Sequence, residues 1–184
     1  MQKFILSFLL CLFIAFNPFS SAVPKATATD NKVECLSFEE AVQRSALQPR
    51  KVIIDVYTDW CGWCKKMDAT TFQHPEVAKY ISQNYYAVRL NAETRDTIRV
   101  GDMTFKYVPQ GRGGSNELAA TLLDGKMSYP SIVFMDEQFN KIQTLPGYRD
   151  AKTLDQILHF FGQNAHVKGI SWEQFQKTYQ SPIQ

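Results

Sequence analysis

The sequence predicts an α/β fold, in which a central mixed β-sheet is covered by helices on both faces. Segments with the pattern of buried strands alternate with amphipathic helical segments over residues 37–90, an order typical of parallel strands. A strand pair around a polar turn follows at 131–145, ahead of a long amphipathic helix. The chain has 184 residues, 45% of them hydrophobic, which is enough to bury a core between these layers.

The elements of the first half begin at clear local signals. A serine-to-glutamate capping box at 37–40 predicts a helix start. Residues 51–58 (KVIIDVYT) predict a buried strand because they are rich in β-branched and aromatic side chains, and a helical stretch through Phe72 follows them. Pro75 predicts the start of another helix, since proline is tolerated at the first helical position, and 85–90 predicts a second strand.

The second half is expected to contain shorter elements before a final pair of helices. Apolar residues at i, i+3, i+4 and i+7 predict the longer of these helices, which ends at a glycine. The predicted elements are a hairpin of 97–100 and 103–107, a flexible loop at 110–114, a short helix at 115–123, strands at 131–135 and 141–145, an amphipathic helix ending at Gly162 and a short helix starting at Ser171.

Composition excludes several classes of protein. The formal net charge is only +2, and no basic cluster is dense enough to suggest a nucleic-acid partner. No internal period points to a repeat architecture. Four cysteines are too few for a disulfide scaffold of this size, and no nucleotide, flavin or haem motif is present, so we expect no cofactor.

The first 22 residues have the three parts of a secretory signal peptide. A basic start precedes an apolar run at 4–16, and small residues follow at 20–22. The run is shorter than the about 20 residues of an ordinary transmembrane helix, although an uncleaved anchor is the alternative. Cys11 lies within this run and residues 23–32 form a polar tether. The chain is therefore expected to be exported, periplasmic or secreted, with membrane contact only if the signal peptide is retained.

Cys61 and Cys64 lie three residues apart, between a predicted strand and the helix that follows it. This spacing allows a disulfide across one helical turn. Cys61 is expected to be exposed at the helix start, where the positive end of the helix favours a thiolate, and Cys64 to lie further in. Cys61 would then attack a substrate disulfide, and Cys64 would resolve the mixed disulfide. We also predict that Cys35 is a small buried hydrophobic residue.

Three alternatives remain open for this pair. The cysteines could form a structural disulfide, as in many exported proteins. They could be half of a zinc site, although the sequence offers no second pair of ligands, and we expect no metal. The fold could also have lost its chemistry and serve only for binding.

The strand, the W-C-G-x-C sequence at a helix start and a later x-Pro before a strand resemble thioredoxin. The motif at 60–67, W-C-G-W-C-K-x-M, is closer to exported thioredoxin-like proteins similar to the C-terminal domain of DsbD. The resemblance covers residues 33–163 and implies a thioredoxin fold. The thioredoxin pattern does not account for a hairpin and helix, which we predict to be an insertion at about 92–128, or for a predicted helical extension at 164–184.

The resemblance also implies roles for particular residues. Cys61 matches the family's nucleophile and Cys64 its resolving cysteine, so the two form the redox disulfide. Tyr129 and Pro130 match the cis-proline segment that pairs with the substrate backbone. Asp55 matches the buried acid, whose raised pKa would let it accept the proton of the resolving thiol. A strand carboxylate paired with a neighbour is the alternative for this residue.

Further positions contribute to the predicted substrate groove or depart from the family pattern. Gly147 matches a glycine that keeps the groove open, or is only a turn residue, and Gly62 lies between the cysteines. Trp60 and Trp63 flank the motif, and exposed aromatic side chains there favour protein substrates. Trp63 replaces a common proline, and Arg89 stands where a lysine is usual; an arginine could hold the acid ionised but not relay its proton.

These features together predict an exported thiol–disulfide oxidoreductase that reduces protein disulfides through Cys61 and Cys64. Its partners would be disulfide-containing proteins and a membrane electron donor, because nothing in the chain supplies electrons. A disulfide oxidase or isomerase with the same cysteines, or a non-catalytic binding module, is the alternative function.

Overall fold

A computed structural model describes residues 32–184, so the predicted signal peptide and nearly all of the predicted tether lie outside the described residues. This part of the chain forms nine strands: β1 (Cys35–Leu36), β2 (Lys51–Tyr57), β3 (Tyr85–Asn91), β4 (Ile98–Val100), β5 (Met103–Phe105), β6 (Tyr107–Gln110), β7 (Gly113–Asn116), β8 (Ser131–Met135) and β9 (Lys141–Pro146).

Six α-helices accompany the strands, several with the end signals that the sequence contains. Ser37 and Glu40 form the capping box at the start of the first helix. The α-helix after β2 is short, and a π-helical segment, Asp68–Phe72, continues it. The helices are α1 (Phe38–Leu47), α2 (Gly62–Met67), α3 (Pro75–Asn84), α4 (Glu117–Leu122), α5 (Ala151–Gly162) and α6 (Trp172–Thr178).

The central sheet has five strands in the order β1-β3-β2-β8-β9. β1, β2 and β3 are parallel, whereas β8 runs antiparallel to β2 and β9 antiparallel to β8. The mixed sheet that the sequence predicts is therefore confirmed. With this topology β2 and β3 end, and β8 begins, at one edge of the sheet.

Alternation along β2 divides the core into two layers. Ile53 faces a cluster built with Met67 of α2, with α3 and with α5. Its neighbours Val52 and Ile54 face a second cluster formed with α1 and α4. Helices therefore cover both faces of the sheet, as the strand–helix alternation predicts.

The segment between β3 and β8 contains the predicted hairpin and helix, but these differ in burial. In α4, Leu118 and Leu122 are buried in the second cluster, so this helix is part of a core layer. The hairpin β4–β5 exposes Met103 and contributes Ile98 to the same cluster. The prediction of a flexible loop at 110–114 is wrong: β6 and β7 pair there around Gly111, whose positive φ permits the tight turn.

Two further features differ from expectation. β1 was not predicted, because two residues carry too little pattern to indicate a strand. Cys35, predicted to be buried, is exposed. Successive side chains of a strand point to opposite faces, and on β1 it is Leu36 that faces a core cluster. Among residues 32–184, no helix combines the length and the apolar character needed to cross a bilayer.

The C-terminal segment beyond α5 packs into the core. Phe175 of α6 is buried against the rings of Phe160, Trp172 and Tyr179, and Ile183 belongs to the same cluster. Tyr179 also donates a hydrogen bond to the buried carboxylate of Asp155 (2.9 Å). The segment thus seals the side of the core that α5 leaves open.

We expect Phe175→Ala to lower the free energy of unfolding by about 3–4 kcal/mol, because it removes a fully packed aromatic side chain from the core. Lys177→Ala, on the exposed face of the same helix, is the matched control and should change stability by less than about 0.5 kcal/mol. Urea unfolding of the oxidised protein measures both. Equal, small effects would mean that α6 is not part of the cooperative core.

Candidate active site

The cysteine pair lies where β2 ends and α2 begins. The backbone N–H of Cys61 donates to Thr58 O (3.1 Å), which closes the turn that follows the strand. Cys61 is the N-cap residue of α2, and its Sγ accepts a hydrogen bond from the backbone N–H of Cys64 (3.1 Å). Cys61 and Cys64 form a disulfide.

Both sulfur-bearing side chains are largely covered in this oxidised state. Cys64 is 1% exposed, as its predicted inner position requires. Cys61 is 5% exposed, so the prediction of an exposed Cys61 is wrong for the disulfide form. The cause is local, because a disulfide across one helical turn draws the sulfur of the N-cap residue against the helix.

Asp55 lies on the face of the sheet that α2 covers. It is two residues beyond Ile53 in β2, so the two side chains point to the same side, towards the cluster that contains Met67. Asp55 is 6% exposed, and its Oδ1 has no hydrogen-bond partner among the described residues. Burial raises the pKa of this carboxyl group from 3.8 to about 7.

Arg89 is the cross-strand neighbour of Asp55 on β3. Its Nε lies 3.7 Å from Asp55 Oδ2 and its Nη2 lies 3.2 Å from Asp68 Oδ2, while the guanidinium stacks over the ring of Tyr57. The positive charge of Arg89 lowers the pKa of Asp55 and the negative charge of Asp68 raises it, but both effects are smaller than that of burial. The sequence interpretation missed Asp68, which reaches Arg89 from the first residue of the π-helical segment.

The predicted groove residues around the proline meet at the same edge of the sheet. The peptide bond between Tyr129 and Pro130 is cis. The backbone N–H of Gly147 donates to Pro130 O (2.7 Å), which joins the loop after β9 to the segment before β8. Gly147 has a φ of 90°, a backbone conformation that residues other than glycine rarely adopt. Gly62, in contrast, has open space around its Cα and a backbone conformation that does not require glycine.

Trp60 is 68% exposed beside the cysteines. Its indole Nε1–H donates to both carboxylate oxygens of Glu93 (3.1 Å each), just beyond β3. Its ring meets Tyr129 edge-to-face with the centroids 5.9 Å apart. Glu93 was not singled out from the sequence, because nothing in its neighbourhood links it to a tryptophan 33 residues away.

Trp63 is 58% exposed on the other side of the motif. Its ring lies 5.5 Å from that of Tyr148, and the ammonium group of Lys66 lies over both rings, 4.7 Å and 5.4 Å from their centroids. Tyr148 is also within hydrogen-bond distance of Thr70 (3.2 Å). Tyr148 was missed, although its position next to Gly147 was a usable signal.

The π-helical segment is tied to the loop that carries Gly147. The hydroxyl of Thr71, which is fully buried, donates to Arg149 O (2.7 Å). Arg149 in turn donates from Nη1 to the carbonyls of Gly147 and Tyr148.

Within residues 32–184, no three His, Cys, Asp or Glu side chains gather in a way that could hold a metal ion.

A family model described as a thioredoxin-like domain matches residues 38–162. The chain belongs to the thioredoxin-like family. Its fold agrees with solved structures of this kind: a thioredoxin from Thermus thermophilus has a TM-score of 0.53 and 18% identity, with 75% of this chain and 90% of that chain covered. A putative disulphide-isomerase from Bacteroides thetaiotaomicron has a TM-score of 0.51 and 22% identity, with 75% and 98% covered.

Curated relatives include the thiol:disulfide interchange protein DsbD. The protein of Colwellia psychrerythraea is 24% identical over 174 residues, which cover 89% of this chain and 24% of the relative. The protein of Pectobacterium atrosepticum is 32% identical over 118 residues, or 63% of this chain and 17% of the relative. The chain therefore spans a quarter or less of the length of these two relatives. The family and the Cys61–Cys64 disulfide together support thiol–disulfide redox activity in general.

We expect the raised pKa of Asp55 to make the thioredoxin-like domain less stable as the pH rises. A carboxyl group whose pKa is higher in the folded state stabilises the fold below its unfolded pKa of 3.8, and this contribution is lost as the pH rises through about 7. The full loss corresponds to about 4 kcal/mol, at about 1.4 kcal/mol per pKa unit. Asp55→Asn should remove it, so that the variant exceeds the unsubstituted protein in stability at about pH 8 but not at about pH 4.

Urea unfolding at these two pH values measures the effect. Asp102→Asn, in the exposed turn between β4 and β5, removes the same charge and should leave the pH dependence unchanged. An Asp55→Asn variant whose stability falls with pH as steeply as that of the Asp102→Asn variant would contradict the raised pKa.

Proposed function

We propose that this domain is an exported thiol–disulfide oxidoreductase that reduces disulfides in protein substrates. The observation that carries the proposal is the Cys61–Cys64 pair at the start of α2, where Cys61 Sγ accepts the Cys64 N–H, together with a buried carboxyl group, Asp55, on the face beneath that helix. The two parts suit the two successive steps of disulfide exchange.

In the first step the Cys61 thiolate attacks one sulfur of the substrate disulfide. The S–S bond breaks, one substrate thiolate leaves and takes up a proton, and the other sulfur stays joined to Cys61. The thiolate is favoured because the N–H of Cys64 points at the Cys61 sulfur, and a hydrogen bond to the charged form lowers a pKa.

In the second step Cys64 resolves the mixed disulfide. Its thiol is buried, so burial disfavours the thiolate and a nearby base is needed. Asp55 is suited to this role because a pKa of about 7 leaves a large part of it ionised near neutral pH, ready to accept a proton. The Cys64 thiolate then attacks Cys61 Sγ, the S–S bond between Cys61 and the substrate breaks, and the second substrate thiolate leaves and takes up a proton. The substrate disulfide is thereby reduced to two thiols, and the enzyme's dithiol is oxidised.

Arg89 is expected to hold part of Asp55 in the ionised form without taking the proton itself. Its guanidinium remains charged throughout, so only the carboxyl group can relay the proton. We expect the substrate groove around the cysteines to be formed by Trp60, Gly62, Trp63, Tyr129, Pro130 and Gly147.

The enzyme also needs a source of electrons after each turnover. Disulfide reduction consumes the dithiol, and we infer that a membrane carrier restores it outside the cytoplasm, in the periplasm or the secreted fraction. Residues 1–22, with the pattern of a signal peptide, support export. The DsbD relatives, named as thiol:disulfide interchange proteins, support disulfide exchange as the reaction type.

Trp63 replaces the proline common between the cysteines, so thioredoxin's own potential does not transfer to this pair. The proposed reductive direction predicts only that the reduction potential of Cys61–Cys64 lies nearer to about −270 mV, the value for thioredoxin, than to about −120 mV. Equilibration with glutathione redox buffers measures it, in a Cys35→Ser background so that the exposed third thiol does not contribute. A potential near −120 mV, the value for DsbA, would contradict the reductive direction and favour an oxidase or isomerase. A pair that does not exchange at all would leave a binding module with a structural disulfide.

We expect Asp55→Asn to slow the second step about 10²-fold or more, the usual contribution of a general base. The first step should be unaffected, since the Asp55 carboxyl is needed only to take the proton of Cys64. Single-turnover reduction of a protein disulfide separates the two steps, and in a Cys64→Ser variant the mixed disulfide should accumulate. An Asp55→Asn variant that resolves the mixed disulfide at the original rate would rule out Asp55 as the base.

A further inference from the structure

The strand order places Glu93, which binds Trp60, and Tyr148, which contacts Trp63, on opposite sides of β2. Glu93 follows β3, which neighbours β2 on one side, whereas Tyr148 follows β9, which lies two strands from β2 on the other. Neighbouring strands are about 4.8 Å apart, so β3 and β9 are separated by about 14 Å at this edge of the sheet. The cysteines, which follow β2, lie between them.

The β3 side carries negative charge. The carboxylate of Glu93 accepts the indole N–H of Trp60, whose ring also meets Tyr129 edge-to-face, ahead of β8. Glu93 forms no ion pair within the part of the chain that the structure describes. Asp59, whose carboxylate accepts a hydrogen bond from Asn91 (3.0 Å), adds a further negative charge next to Trp60 and is itself exposed, whereas Glu93 is half-buried.

The pair on the β9 side carries positive charge. The exposed ammonium of Lys66 lies over the rings of Trp63 and Tyr148, and no carboxylate of residues 32–184 pairs with it. Arg149 adds a second cation next to Tyr148, with its guanidinium held by backbone carbonyls rather than by an acid. Both sides therefore offer an exposed aromatic surface and an unpaired charge, but of opposite sign.

We propose that the exposed surface around the disulfide selects and orients the substrate. This bipolar rim consists of Trp60 with Glu93 on one side and of Trp63 with Tyr148 and Lys66 on the other. The partner is an extended protein segment that places a basic residue on the Glu93 side of its cysteine, an acidic residue on the Lys66 side, and apolar side chains against the tryptophans. The inference rests on the proposed function, since the rim surrounds the proposed reactive disulfide. Charge complementarity at an exposed rim chiefly sets orientation and association rate, so the effect belongs in the rate of the first step.

Two charged peptides and one neutral peptide test the proposal. The charged peptides have the same composition and a single central cysteine, with two lysines before it and two glutamates after it in one and the reverse order in the other. The neutral peptide has glutamine at all four positions. Each is supplied as a mixed disulfide with 2-mercaptoethanol. The reduced protein converts this disulfide to peptide thiol and 2-mercaptoethanol while its own dithiol becomes the Cys61–Cys64 disulfide, so the electrons balance.

One charged peptide is expected to react at least about fivefold faster than its reverse at low salt, from the two rim contacts together. The double variant Glu93→Lys with Lys66→Glu should invert this ratio. The double variant Glu173→Lys with Lys177→Glu, which exchanges two exposed charges on α6, should keep the original ratio. At about 0.5 M salt the ratio of the two rates should fall towards one, because salt screens the charges and shortens the range of their interaction.

Equal rates for the two charged peptides, or a preference that the rim double variant does not invert, would overturn the proposal. If the neutral peptide is still reduced in that case, the oxidoreductase function stands and only the bipolar rim is refuted. If none of the three peptides is reduced, the proposed function fails and the rim proposal fails with it.

Discussion

β2 lies at the centre of the sheet, hydrogen-bonded on both edges and buried on both faces, and this constraint organises the rest of the molecule. A strand in that position needs a helical layer on each side, which α1 with α4 and α3 with α5 supply. Because β2 ends at the edge of the sheet where β8 begins, the residues that follow β2 lie at that edge. The cysteine pair gains its place in this way, at the end of the central strand.

The same constraint explains the behaviour of Asp55. A carboxyl group in the middle of such a strand is largely removed from bulk solvent, and Arg89 offers contact at 3.7 Å rather than a close ion pair. The guanidinium is shared with Asp68 and rests on Tyr57, so it compensates only part of the cost of burial. The fold thus keeps the Asp55 carboxyl group near the midpoint of its titration at neutral pH, at the expense of some stability.

The sequence predicted the features that depend on local pattern. The strand at 51–58, the capping box at Ser37, the hairpin around Gly101 and the pairing of Cys61 with Cys64 each depend on residues close together in the chain. Features that depend on long-range contacts were missed, including the hydrogen bond from the indole of Trp60 to Glu93 and the contact of Tyr148 with Trp63. The strand nature of 110–114 was hidden because its glycines suggested flexibility, whereas one of them makes a hairpin turn.

The π-helical turn after α2 has a consequence for comparing sequences across the family. A π-turn holds one residue more than an α-turn over the same rise, so it shifts the angular position of every residue after it. Asp68 at its start reaches Arg89, and Thr71 near its end holds the loop of Arg149. A relative with an uninterrupted α-helix here can keep both contacts only with one residue fewer, so an alignment across Asp68–Phe72 should contain a single-residue gap.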